Sequence, residues 1–462
     1  MINRRVNISL MIDTHCHLSL LDSDELELTL RDGSLEYLIT VGYDLETSQK
    51  AIELADSNQK VFCAIGFHPH DAESCDIKWL KEKALSSKKV KAIGETGLDF
   101  YKNYSPPHIQ EESFRKHIRL ARELGLPLVV HSRQADQETL KILKEERAHE
   151  TGGVMHCFTG SYEFMMACVD MGFYISFSGI LTYPGAKELR LVASKTPTTR
   201  IVIETDSPYL PPQPKRGQKN TPKNLIYVAE ELSKLVPNSN LEDIIRMTSQ
   251  NAKKLFNLGL ERPSNTITYV INNRLYINLT NRCNLHCVFC QRERERDFTV
   301  KGHWVWLERD PSTMEIIEAI KDPTPYEEVV FCGYGEPTLR FDTLKEVSAW
   351  LKSKGAKRVR VDTNGLMLSF TPKERLKELK GLIDIWSVSL NAQNDETYNL
   401  ICKPVRADTF HKVCEFIKEA LQNGFEVIAS AVDYPGVDID KTRELALSLG
   451  AKFRARTYGA IG

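Results

Sequence analysis

Asp13-Thr14-His15-Cys16-His17 follows the first apolar run of the chain, and its reading decides the fold. Alternate residues of an extended segment point the same way, so the two imidazoles can share one ion. Further ligand types stand at the ends of later apolar runs. Glu95 follows the fourth run, in Gly94-Glu95-Thr96-Gly97-Leu98-Asp99, and His131 ends the fifth, just before Ser132 and Arg133. His156 ends the sixth, in Met155-His156-Cys157-Phe158, and Asp206 ends the eighth, in Glu204-Thr205-Asp206-Ser207-Pro208.

The runs themselves end near Asp13, Val41, Phe67, Gly94, Val130, Met155, Ser176 and Thr205, with helical patterns between them. That alternation predicts repeated βα units around a parallel sheet. Eight units in about 250 residues match the size of a (βα)8 TIM barrel, whose strand ends converge on one mouth. A lone His at a strand end is more often a core residue than a ligand. Six placed candidates (His15, His17, Glu95, His131, His156 and Asp206) are not independent accidents. Four His and two carboxylates make an N/O site suited to Zn, Mn, Mg or Fe(II). Six ligands exceed what one tetrahedral ion needs, so two divalent ions sharing Glu95 are expected. His68 and His70, in Gly66-Phe67-His68-Pro69-His70, follow the third strand and read as substrate-contacting, supporting or structural groups.

This constellation resembles the TatD-type metal-dependent deoxyribonucleases of the amidohydrolase superfamily, from about Met11 to Leu258. The resemblance implies that the six residues are the metal ligands and that the reaction is phosphodiester hydrolysis in DNA, often as a 3′ exonuclease. Two divalent ions activate a water and stabilise both the attacking and the leaving oxygen. Asp206 is then a candidate general base beside Glu95, and Arg133 a candidate for neutralising phosphate charge. The run Lys215-Arg216-Gly217-Gln218-Lys219-Asn220 follows strand eight and is a candidate for tracking a phosphate backbone. Tyr209, Phe158 and Tyr183 are candidates for stacking on bases, or for packing.

A second series begins near Leu275, with runs at Leu275–Leu279, Glu328–Phe331, Arg358–Val361, Ile383–Ser389, Phe425–Ala431 and Lys452–Arg456. The first of these leads into Cys283-Asn284-Leu285-His286-Cys287-Val288-Phe289-Cys290, a C-x3-C-x2-C pattern. Three thiolates so placed can hold three irons of a [4Fe-4S] cluster and leave the fourth open to a small molecule. A zinc knuckle needs a fourth ligand at ligand spacing, which His286, wedged between two cysteines, does not supply.

From about Leu275 onward the chain resembles the radical S-adenosylmethionine (radical SAM) superfamily, with Phe289 as the aromatic before the last cysteine. The resemblance implies a partial (βα)6 barrel, S-adenosylmethionine chelated to the open iron, and its one-electron cleavage to a 5′-deoxyadenosyl radical. Phe331-Cys332-Gly333-Tyr334-Gly335-Glu336-Pro337-Thr338 is similar to the family's Gly-Gly-Glu-Pro segment, with Tyr334 interrupting the glycine pair. Asp362-Thr363-Asn364-Gly365 and Ser387-Val388-Ser389-Leu390-Asn391 stand where ribose and carboxylate contacts often lie. Phe289, Gly335, Glu336, Asn364 and Ser389 are therefore the expected cofactor contacts. Cys332, Cys402 and Cys414 are scattered, so no second cluster is expected. Arg454-Ala455-Arg456-Thr457-Tyr458 closes the last run.

The domains expected are 1–258 for the hydrolase barrel, 259–268 for a linker rich in breakers (Gly259, Pro263, Ser264, Asn265), and 269–462 for the radical SAM unit. The net charge of −1 provides no global attraction to nucleic acid, so any such contact is local. Eleven cysteines, an odd and clustered set, point to a reducing cytoplasm rather than a disulfide scaffold. Arg4 and Arg5 precede no apolar leader, and no run suffices for a membrane span. The expected partners are DNA or an oligonucleotide and an electron donor such as flavodoxin or ferredoxin. The alternatives are a hydrolase for small esters, amides or lactones, and a half-chain that only binds.

Overall fold

The computed structural model describes residues 10–260, 263, 265–290, 298–406 and 408–457. Arg4, Arg5, Ser264 and Tyr458 lie outside them. The chain divides into two compact units, Met1–Leu260 and Glu261–Gly462. Among the described residues no helix is long and apolar enough to cross a membrane.

The first unit is an eight-stranded parallel barrel. Its strands are β1 (Met11–Cys16), β2 (Leu35–Val41), β3 (Val61–Ile65), β4 (Val90–Asp99), β5 (Leu128–Arg133), β6 (Gly153–Met155), β7 (Tyr174–Phe177) and β8 (Ile201–Ile203), paired in sequence order. Alternation sorts their side chains. Ile12, Val41, Ala64, Val129, Val154 and Val202 fill the interior together with Leu255, the last residue of the helix Leu241–Leu255, and Phe256, which follows it. Their neighbours Met11, Leu128, Val130 and Met155 pack outward against the helices. The helix Pro107–Leu124 shows how sequence makes that outer layer. Proline starts it, and Gly125 ends it at φ 63°, a left-handed conformation that glycine adopts freely. Gln110, Phe114, His117, Ile118 and Ala121 form its buried face at helical spacing.

Five strand ends differ from the sequence reading by two residues or more: β1 runs on to Cys16 and β5 to Arg133, and the other three have a visible reason. β3 stops at Ile65 because the Phe67 amide donates to His117 Nε2 (3.0 Å) instead of to a strand. β4 runs past Gly94 to Asp99 because Thr96–Asp99 pair with Val130–Arg133 beyond a register shift. β8 stops at Ile203 because the Thr205 amide donates to Asp13 Oδ1 (3.0 Å). Hydrogen bonds from Thr14 Oγ1 to Ile203 O (2.9 Å), Asp206 N to His15 O (2.9 Å) and His17 N to Ser207 O (2.8 Å) join the last strand region to the first.

The second unit is an open sheet. Its strands are β9 (Thr268–Ile271), β10 (Arg274–Ile277), a small hairpin β11 (Thr299–Val300) and β12 (His303–Trp304), then β13 (Glu328–Phe331), β14 (Val359–Thr363), β15 (Ile385–Ser389), β16 (Glu426–Asp433) and β17 (Lys452–Thr457). The main sheet runs β17-β16-β15-β14-β13-β10-β9. Its six parallel strands are the six runs read from the sequence, a partial barrel. The added strand, β9, pairs antiparallel with β10 and begins at Thr268, inside the stretch read as linker. Asn272 and Asn273, both at positive φ, make the tight turn that a two-residue hairpin requires.

Candidate metal centre and cysteine loop

In the first unit the strand ends converge on Glu95, which is 4% exposed. Its Oε1 lies 2.9 Å from His156 Nε2, 3.2 Å from His131 Nδ1 and 3.4 Å from His68 Nε2, and its Oε2 lies 3.3 Å from His15 Nε2. On the other side, Asp206 Oδ1 lies 3.3 Å from His17 Nε2 and 3.8 Å from His15 Nε2. Three overlapping sets have all their ligand atoms within 4.8 Å of one another: His15–Glu95–His156, His15–His17–Asp206 and His68–Glu95–His131. All six sequence candidates are thus brought together, and His68 joins them at ligand distance.

The electrostatics follow from crowding carboxylates and imidazoles in a buried space. Burial works to raise the Glu95 pKa, but His156, His68, His131 and His15 together hold it well below the usual carboxylate range. Burial likewise opposes Asp206 ionisation, and His17, His15 and His156 overcome it. For His156 burial favours the neutral ring, yet Glu95 and Glu204 hold its pKa well above the ordinary value. Neutral nitrogens and ionised carboxylates around a small space are the donor set that a divalent cation takes in place of shared protons.

Residues behind these groups fix their orientation. Glu204, fully buried, stands 3.3 Å from His156 Nδ1 and accepts from the Cys157 amide at 2.7 Å. Asp99 Oδ2 lies 3.0 Å from His70 Nε2 and 3.3 Å from His131 Nε2. His17 Nδ1 donates to Val41 O at 2.9 Å. Asp13 accepts from Thr205 and from the His15 amide, and burial pushes its pKa up to about 8. Supporting contacts of this kind set imidazole tautomer and direction.

A cavity of about 680 Å³ opens over the group, lined among others by Tyr43, His70, Arg133, Thr159 and Tyr209. Arg133 is half exposed, with its guanidinium carbon 4.0 Å over the centre of the Tyr101 ring. Tyr209 is 51% exposed, whereas Phe158 is buried against Phe164 and is a packing residue. In the basic run, Arg216 stacks on Tyr183 at 4.7 Å. Asn220 is buried and donates to Thr205 O (2.8 Å), so it anchors the loop.

In the second unit Cys283, Cys287 and Cys290 lie half-buried after β10. The loop is tied to the end of the helix Asp395–Cys402 by His286 N to Cys402 O (3.1 Å) and Val288 N to Ile401 O (2.8 Å). The three thiols do not form a set within 4.8 Å. A single zinc with Zn–S near 2.3 Å holds its sulfurs no more than about 4.6 Å apart. In a cluster, by contrast, each thiolate takes a different iron. Gly335 packs against the base of this loop, and a Cβ there would lie 2.1 Å from Thr280 O. Asn364 Nδ2 donates to Asn284 Oδ1 (2.5 Å) and lies 4.0 Å from Cys283 Sγ. Phe289 faces Tyr434 at 5.9 Å between ring centroids. Ser389 Oγ accepts from Arg456 (3.2 Å). Glu336 is turned to its own chain and accepts from Thr338 N, Thr338 Oγ1, Thr363 Oγ1 and Asn364 N at 2.7–3.1 Å. It locks the β13 loop to the β14 loop.

Residues 12–257 match the family model of the TatD-related DNases. The chain belongs to this TatD family. Residues 277–449 match the radical SAM superfamily, so a TatD unit is followed by a radical SAM unit, both from enzyme families. The metal-dependent hydrolase YabD of Bacillus subtilis (strain 168), itself uncharacterized, is 41% identical over 257 residues, covering 54% of this chain and all of that protein. A protein of Edwardsiella piscicida named 3′-5′ ssDNA/RNA exonuclease TatD is 33% identical over 251 residues, 52% of this chain and 94% of that protein. Among solved structures, the TatD homologue YjjV of Escherichia coli K12 superposes with a TM-score of 0.52 at 29% identity, over 55% of this chain and all of that one.

Within the TatD unit, sequence reasoning gave no role to Glu204, Asp99 or Asp13. A usable signal was present: each carboxylate sits within four residues of a strand-end ligand or inside a quoted motif.

Proposed function

We propose that the TatD unit removes nucleotides from the 3′ end of single-stranded DNA, and that the radical SAM unit cleaves S-adenosylmethionine at a [4Fe-4S] cluster. The observation that carries the first reading is Glu95, a single carboxylate with four imidazoles within 3.4 Å. When bound, two divalent ions, Mg, Mn or Zn, supply an activated water and neutralise phosphate charge. His15, His17, Glu95, His131, His156 and Asp206 hold them. Asp206, kept ionised by His17, takes the water proton at its carboxylate. Glu204 holds the His156 ring in place. Arg133, presented on Tyr101, meets phosphate at the cavity rim, and Tyr209 offers a face to a base. The rim favours an oligonucleotide over the small ester, amide or lactone of the alternative reading.

In the second unit Cys283, Cys287 and Cys290 would hold the cluster, which would supply an electron for cleavage of the cofactor. Gly335 and Asn364 line its approach with Phe289 and Ser389, and Glu336 positions the two loops rather than touching the cofactor. A flavodoxin- or ferredoxin-type reductant is the proposed partner.

The test is an anaerobic assay of end-labelled single-stranded DNA with Mg or Mn, using the whole chain and Glu95→Ala. Shortening from the 3′ end, lost in the variant, supports the reading. No cleavage by folded, metal-loaded protein moves the unit to small-molecule hydrolysis.

A further inference from the structure

The two faces of the second sheet differ in kind. Ile277, Phe331, Val361, Val388 and Ala429 face one side and are buried under helices. Alternation gives the other side to polar residues, among them Asp362, Ser389 and Ser430. The register Ser430↔Arg454 and Val432↔Arg456 sets two guanidinium groups of β17 on that polar side. A third arginine there is neutralised: Arg360 lies 2.8 Å from Glu328 and 2.9 Å from Asp362.

Among the described residues, neither Arg454 nor Arg456 has a carboxylate at ion-pair distance. The Nε of each is buried and has no hydrogen-bond partner. Arg456 Nη2 reaches only neutral oxygens, Ser389 Oγ at 3.2 Å and Asn391 Oδ1 at 3.3 Å. The carboxylate that acts on it is Asp362, already ion-paired with Arg360. Two like charges about 6.6 Å apart along one strand, partly withdrawn from water and with no carboxylate of their own among the described residues, are unfavourable until an anion joins them. The pair is also linked to the cysteine loop. Asn391, which accepts from Arg456, donates through Nδ2 to Cys402 Sγ at 3.5 Å, and the Cys402 thiol stands beside Cys287.

We propose that Arg454 and Arg456 form an anion site for a phosphate group on the substrate of the radical unit. The proposal rests on reading that unit as a radical SAM enzyme. One carboxylate is satisfied by one guanidinium edge, whereas two guanidinium groups a strand step apart suit an anion with three terminal oxygens. The pair therefore specifies a phosphorylated substrate, held on the polar face within three contacts of a cluster ligand.

The experiment titrates inorganic phosphate by calorimetry into the full chain, with the cluster reconstituted. Divalent ions are removed and Glu95→Gln is introduced, so that the TatD site does not take the anion. The expected result is one phosphate per chain, weakened at least about tenfold by Arg456→Gln and by Arg454→Gln, weakened less by Arg456→Lys, and unchanged by saturating S-adenosylmethionine. Absence of saturable binding, or equal binding by the Gln variants, overturns the proposal. Displacement by S-adenosylmethionine also overturns it, because the pair then serves the cofactor carboxylate. The reduced-cluster EPR signal and substrate-free cleavage of S-adenosylmethionine are read on every variant. If both persist in the chain with both arginines intact while it shows no saturable phosphate binding, the anion site is refuted and the radical reading stands. Should Arg456→Gln not retain its cluster, Arg454→Gln and Arg456→Lys decide.

Discussion

Around Glu95, side chains from separate strand ends of a barrel meet at one carboxylate. Around Cys287, all three cysteines come from one stretch of eight residues. The first site is a property of the fold, and the second is a property of a loop that the fold supports at its ends. The supports differ accordingly. Buried carboxylates such as Glu204 and Asp99 orient individual imidazoles, whereas the cysteine loop is pinned through its backbone to the end of one helix. A dispersed site fails when any strand shifts, and a contiguous one fails when its own few residues change.

The largest test of that contrast exchanges one residue in each. Glu95→Ala is expected to lower metal-dependent hydrolysis about 10³-fold or more and to leave iron content and the reduced-cluster EPR signal intact. Cys287→Ser is expected to do the reverse. If either substitution removes both signals, the two sites are not independent.

Oxygen provides a second cut. Air is expected to bleach the cluster absorbance while hydrolysis of DNA by the Mg- or Mn-loaded chain persists, because only the cluster carries an iron open to small molecules. Parallel loss of both would break the contrast.

A smaller effect sharpens it. Glu204→Gln is expected to weaken divalent-metal binding about 10- to 100-fold, read as a shift in the metal concentration needed for hydrolysis. An unshifted curve would mean that the His156 ring is held by packing alone.

A further effect concerns stability. Burial pushes the His117 pKa down to about 4, from 6.5. Between those values the unfolded chain binds the extra proton, so stability is complete above pH 6.5 and declines as pH falls towards 4. The loss reaches roughly 3 kcal/mol. In chelator, the thermal transition that divalent metal stabilises is expected to move down between pH 7 and pH 5, and to move less in His117→Asn. Equal shifts would assign the acid sensitivity elsewhere.

The alternation of apolar runs was legible throughout, because strand and helix periods differ and both cores are large. The meeting of the six candidate ligands was legible because a parallel barrel puts strand ends on one face. The role of Glu204 was not, since nothing in Glu204-Thr205-Asp206 says which carboxylate turns outward to support a ring and which faces the cavity. That follows from β8 stopping at Ile203, where the Thr205 amide turns to Asp13. Strand β9 was hidden for a different reason. Its hairpin depends on two adjacent asparagines in left-handed conformations, beside a stretch whose composition reads as linker. Glu336 is where the motif puts it, and its hydrogen bonds to Thr338, Thr363 and Asn364 were not legible, because they depend on how the loops after β13 and β14 meet.

The hydrogen bonds that join β8 to β1 have a consequence for exchange kinetics. The amides of His17 and Asp206, two of the bonded donors, belong to candidate ligands. A cation that draws those side chains together also fastens the barrel where its ends meet, in the manner of a clasp. Deuterium uptake at those two amides then becomes a local gauge of occupancy, slowing as the ion is added while amides of the outer helix Pro107–Leu124 keep their rates.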